Sequence, residues 1–73
     1  MSETPTYRYK QGDIVKLINL SRFHGEQAIL INRIENNPYY IEKQLPGWEV
    51  YVLLKGVYTA CTEVEMTLIV RSE

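Results

Sequence analysis

Gly12-Asp13-Ile14-Val15-Lys16-Leu17 and Gly25-Glu26-Gln27-Ala28-Ile29-Leu30-Ile31-Asn32-Arg33-Ile34 are the two stretches on which the reading of this 73-residue chain turns. Each enters through a glycine and runs on into aliphatic, largely β-branched residues, the pattern of a strand bounded by a turn. A short loop, Asn19 to His24, joins them. In the first strand Val15 and Leu17 fall on one face, taken as the core face, with Ile14, Lys16 and Ile18 opposite. The second places Ala28, Leu30 and Ile34 on one face and Ile29, Ile31 and Arg33 on the other. Apolar residues on both faces predict a strand that bends across a small barrel and is covered on both sides for part of its length.

On the N-terminal side, Tyr7-Arg8-Tyr9-Lys10 alternates aromatic with basic residues. The period of two predicts an extended lead-in with both tyrosines on one face, rings packed on the core rim and hydroxyls in water. Residues 1–6 read as a flexible end and residues 7–71 as a single domain.

On the C-terminal side, Asn36-Asn37-Pro38 ends the second strand, because proline cannot donate to a ladder. Tyr39 to Gln44 is expected as a short strand or an ordered loop, and Leu45-Pro46-Gly47 as a turn. From Trp48 to Lys55 the alternation is regular, which predicts Trp48, Val50, Val52 and Leu54 pointing inward. Gly56 reverses the chain into a strand at Val57 to Cys61. Thr62 to Met66 is too short for a stable α-helix and predicts one 3₁₀ turn. Thr67 to Val70 then forms the last strand. The expected core is Val15, Leu17, Ala28, Leu30, Trp48, Val50, Val52 and Leu68, within an all-β, mostly antiparallel, five-stranded barrel.

The bulk composition restricts function as well as fold. Apolar residues make up 45% of the chain, too many for a disordered segment. Eight basic against nine acidic residues, with no run of like charge, argue against a sequence-independent grip on nucleic acid. One cysteine, Cys61, excludes an internal disulfide and leaves a metal site without its usual soft ligands. No stretch approaches the roughly 20 apolar residues that span a bilayer. Met1-Ser2-Glu3-Thr4-Pro5 has neither the basic start nor the apolar run of a signal peptide, so a cytoplasmic protein with no membrane partner is expected.

Together these elements resemble the SH3-like barrels and, within them, the KOW modules. Gly12, Asp13, Val15, Leu17, Gly25 and Leu30 match that pattern, and Ala28 stands where it usually has a second glycine. Glu63-Val64-Glu65-Met66-Thr67-Leu68-Ile69 resembles the short turn and final strand of the same fold. That region is similar to its counterparts in the peripheral stromal subunit of photosystem I and the variable subunit of ferredoxin-thioredoxin reductase. The resemblance runs from about Lys10 to Val70 and implies an SH3-like barrel. Small stand-alone barrels of this kind are frequent in bacteria and bacteriophages, the source expected here.

Chemistry has few candidates. A Cys-His nucleophilic pair would have to be built from Cys61 and His24, and a cysteine in an apolar strand with a histidine in a loop reads instead as an inert thiol and a solvated imidazole. The four glycines are isolated turn residues, so no phosphate-binding loop is present. No catalytic residue, metal, cofactor or small-molecule substrate is expected. Aromatics in the loops are the more informative feature. Phe23 lies in the first loop, Tyr39 and Tyr40 in the middle one, Tyr51 on the outer face of the third strand and Tyr58 after the hairpin turn. In an SH3-like barrel the first and middle loops can converge on a groove for extended peptides. The expected function is therefore a non-enzymatic module that docks on a larger protein through Phe23, Tyr39, Tyr40 and Tyr58, with Arg22, Glu42 and Lys43 beside them. The alternative is a KOW-like module with Arg22, Arg33 and Lys43 contacting RNA or the transcription and translation machinery.

Overall fold

A computed structural model of the protein describes residues 6–18 and 22–72. Apart from Thr6, the expected flexible end falls outside these residues, as do Asn19 to Ser21 of the first loop. Strands β1 (Ile14–Leu17), β2 (Gln27–Ile34), β3 (Gly47–Val52), β4 (Val57–Thr62) and β5 (Met66–Val70) form one antiparallel sheet in the order β4-β3-β2-β1-β5. A helix, α1 (Pro38–Lys43), joins β2 to β3, and a 3₁₀ turn (Glu63–Glu65) joins β4 to β5. The all-β, five-stranded, antiparallel expectation holds. The sheet stays open, with β4 and β5 as its edges.

The sheet folds around one core of Val15, Leu17, Ala28, Leu30, Trp48, Val50, Val52, Cys61 and Met66. Cross-strand register explains the membership: Val15 faces Ala28, Ala28 faces Val52, Leu30 faces Val50, and Trp48 faces Cys61. Directly opposed residues share a face, so these pairs stack their side chains on the same side of the sheet. Tyr7, Tyr9, Phe23 and Leu68 are half-buried against this cluster. Leu68 is thus a rim residue rather than a core one, and Met66, opposite Leu17, is the fully packed residue of β5.

Three further sequence expectations change. Residues 39–43 are helical, not extended. Asn37 caps the helix by accepting the Tyr39 N–H at 2.9 Å, Pro38 occupies the first turn, and Gln44 ends it at φ 57°. Proline's fixed φ suits a helix start, so the residues that stop β2 also begin α1. Second, β3 ends at Val52 rather than Lys55, and Leu54 is 88% exposed instead of inward. Gly56, at φ +67°, donates its N–H to the Val52 carbonyl at 2.8 Å and pulls residues 53–56 out of the alternation into a turn.

Third, β2 carries a bulge. Leu30 pairs with Val50 but Asn32 pairs with Glu49, so Ile31 is the extra residue. One inserted residue reverses the facing of everything after it. Arg33 therefore lies opposite Trp48, on the core side, and Ile34 lies opposite Gly47. Ile29, before the bulge, and Ile34, after it, lie on the face away from Ala28 and Leu30.

Two buried carboxylates tie the ends of the chain to the sheet. Asp13 accepts the Lys10 N–H at 2.9 Å and the Ser72 N–H at 2.6 Å. Glu63, 1% exposed, accepts the N–H groups of Arg8 and Tyr9, each at 3.0 Å, and the Trp48 indole Nε1–H at 2.9 Å. Buried charge is tolerated where hydrogen bonds replace water. These bonds hold the Tyr7–Lys10 segment in place, with the Tyr7 ring edge-on to Trp48 at 5.6 Å.

Candidate interaction surface

The aromatics proposed from sequence do not form one cluster. Phe23 lies in the β1–β2 connection, at the Gln27 end of β2, half-buried against the core and with the Arg22 guanidinium 5.5 Å from its ring. Tyr39 and Tyr40 lie on α1, beyond the Ile34 end of the same strand. The expected single groove joining Phe23 to Tyr39 and Tyr40 is not assembled, because the full length of β2 separates the two connections. Tyr58 is 64% exposed and packs its ring on Tyr51, centroids 4.9 Å apart. That pair sits near the β3–β4 turn, with exposed Leu53, Leu54 and Val57 close by in the chain.

A groove does form at the α1 end. Tyr39, Tyr40 and Leu45 make one wall, and Ala60, Thr62, Val64 and Glu65 the other, around a volume of about 360 Å³. Its geometry starts from Gly47. A Cβ there would lie 2.9 Å from Tyr40 Cδ1, so the missing side chain is what lets the Tyr40 ring rest on β3. Tyr39 packs edge-on to Tyr40 at 5.4 Å and remains 57% exposed, and Val64 is 62% exposed across the groove. Glu42 and Lys43 are exposed on α1. The Tyr40 hydroxyl is held protonated above its ordinary range, chiefly by burial and then by the negative charge that Cys61, Glu65 and Tyr39 would carry. The groove thus offers neutral aromatic surface with one acid, Glu65, at its edge. Leu45, Ala60 and Val64 were not expected in the site. The Asn37-Pro38 helix start was the signal that could have located the wall that α1 and Leu45 form.

A second concavity, of about 370 Å³, lies among Lys10, Gln11, Asn32, Arg33, Glu35 and Trp48. Arg33 is 4.6 Å from the centroid of the Tyr7 ring and 3.8 Å from a Glu35 carboxylate oxygen, so its charge is already engaged. The Tyr7 hydroxyl donates to the Ile34 carbonyl at 3.1 Å and stays protonated, its pKa raised first by burial and then by Glu35.

Cys61 is buried in the core opposite Trp48, and burial, with Glu65 adding to it, pushes its thiol up to about 12. His24 lies in the β1–β2 connection, at the other end of the sheet from Cys61. The two do not form a nucleophilic pair. Among the described residues no group of three or more His, Cys, Asp or Glu side chains could hold a metal ion, and no helix is long and apolar enough to cross a membrane. Comparisons with known proteins found no matching family model, no matching curated protein and no matching solved structure, so the reading of this surface rests on its own geometry.

Proposed function

We propose that this protein is a non-enzymatic interaction module of the SH3-like type, docking on protein through the groove between α1 and the β4–3₁₀ corner. The observation that carries the proposal is that exposed Tyr39 and Val64 line one groove together with the half-buried Tyr40. Aromatic and aliphatic surface of this kind is what the centres of protein interfaces select. The strand order, and the 3₁₀ turn before the last strand, support the SH3-like reading. The proposed site is narrower than the expected one. Tyr39 and Tyr40 remain in it, while Phe23 serves the core and Arg22 stands over Phe23. The KOW-like alternative needs Arg22, Arg33 and Lys43 on one face. Arg22 lies at the far end of β2 from the other two, and Arg33 is engaged with Tyr7 and Glu35.

Ligands selected from a displayed random-peptide library, titrated beside single-stranded oligoribonucleotides at low and high salt, test this reading. Peptide binding is expected to change little with salt, to be lost in Tyr39→Ser and to survive Arg22→Ala and Lys43→Ala. RNA binding that falls steeply with salt and is lost with the two basic residues would overturn it.

A further inference from the structure

Residues 7–9 lie against the core without joining the sheet. Among the described residues, no backbone–backbone hydrogen bond links Tyr7, Arg8 or Tyr9 to a strand. One side chain holds their amides instead: the Arg8 and Tyr9 N–H groups both donate to the Glu63 carboxylate, each at 3.0 Å. Tyr7 adds its edge contact with Trp48, its hydrogen bond to the Ile34 carbonyl and the Arg33 guanidinium over its ring. Arg33 and Trp48 also line the concavity of about 370 Å³, so Tyr7 packs on two residues of its wall.

Both sides of this contact are fixed independently of residues 7–9. On the chain side, the Lys10 N–H donates to Asp13 Oδ2 at 2.9 Å, the Asp13 N–H to the Lys10 carbonyl at 3.0 Å, and the Gly12 N–H to the Leu30 carbonyl at 2.8 Å. The turn at residues 10–13 is thereby bonded to itself and to β2. On the other side, the Glu63 N–H donates to the Pro46 carbonyl at 3.0 Å, and the Glu63 carboxylate accepts the Trp48 indole N–H at 2.9 Å. If residues 7–9 leave, Glu63 keeps the indole and exchanges two amides for water. No buried charge is stranded, which is the condition for opening without unfolding.

We infer that residues 7–9 are a strap that opens as one unit, pivoting on the turn at residues 10–13 while the five-stranded sheet stays folded, with Glu63 as its latch. Segments held by few bonds outside the ladders open at lower cost than the whole domain. A single carboxylate holds both strap amides, so its release frees both together. Opening withdraws the Tyr7 ring from Trp48 and Arg33 and extends the concavity toward Glu63. The closed strap thus withholds part of the indole and the Glu63 carboxylate from solvent, and the enlarged pocket belongs to the minor, open population. The strap and this concavity share no residue with the α1 groove, and the inference is independent of the docking role given to that groove.

Native-state hydrogen exchange on the full-length protein, followed over low denaturant concentrations, tests the strap. The Arg8 and Tyr9 amides should show one common protection factor, lower by about tenfold or more than those of Leu17 and Leu30, and nearly flat in denaturant, as a local opening requires. The Leu17 and Leu30 amides, bonded to the Glu26 and Asp13 carbonyls, should lose protection steeply as denaturant rises. In Glu63→Gln, acrylamide quenching of Trp48, the one tryptophan of the chain, should rise several-fold while Leu17 and Leu30 remain protected. Strap amides that exchange only together with Leu17 and Leu30, on the same denaturant slope, overturn the separate opening. Strap amides with no protection overturn the latch, as does quenching unchanged in Glu63→Gln. Should that variant not fold, exchange in the parent protein decides alone.

Discussion

Glu63 is one acidic side chain in a polar turn by sequence and a buried acceptor for three donors in the structure. Glu63→Gln keeps its shape but replaces one acceptor oxygen with a donor that faces other donors. The expected cost is about 1–3 kcal/mol, the range for leaving buried groups unpaired, read as a lower denaturant midpoint. Trp48 emission should shift as its indole N–H loses its partner. Cys61 makes a prediction on the alkaline side. Its folded-state pKa is about 12, against an ordinary thiol value of 9.0. Below about pH 9 the thiol is neutral in both states and the shift has no effect on stability. As the pH rises from about 9 toward 12 the unfolded chain loses the proton first, and stability falls. Denaturant midpoints should therefore decline more steeply with pH in the parent than in Cys61→Ala, and a parallel decline would contradict the burial argument. The buried thiol was legible because it stands in an apolar strand. The roles of Asp13 and Glu63 were not, since local spacing does not record hydrogen bonds to residues fifty or more positions away.

Strand β3 shows what alternation conveys and where it stops. Trp48, Val50 and Val52 are buried as their period of two requires, but Leu54 continues the sequence pattern after the structure has left it. Val50→Ala should cost on the order of 1–3 kcal/mol, from lost transfer energy and the cavity left behind. Leu54→Ser should stay within about 0.5 kcal/mol of the parent, the usual range for an exposed site away from packing. Thermal melts of both variants check the two together, and comparable losses would mean that β3 extends past Val52. Helix α1 was missed for a related reason. Asn37-Pro38 was read only as a stop for β2, although an asparagine cap followed by proline is also a start signal. Six residues are too few for hydrophobic periodicity to reveal the helix, and its cap was the legible part.

Across the molecule, strand identities were readable because five segments each contain a run of aliphatic or β-branched residues between turn formers. The meeting of α1 with the β4–3₁₀ corner was not, since it depends on sheet order, on the Ile31 bulge and on Gly47 admitting the Tyr40 ring. Sheet order also makes a prediction at this scale. β1 lies between β2 and β5, and Asp13 accepts the Ser72 N–H. Truncation after Glu65 would leave an edge of β1 unpaired and take the Ser72 N–H from the Asp13 carboxylate, and its far-UV spectrum should be that of an unfolded chain. A folded spectrum would show that β5 is dispensable. The pairing of Ile14 with Val70 matters equally while the protein is being made. A ribosome delivers β1 early and β5 late, so β1 must wait, one side unpaired, until residue 72 clears the exit tunnel. Folding of this domain therefore waits for β5, and a stalled nascent chain whose residues 66–72 are still inside the ribosome should be open to protease.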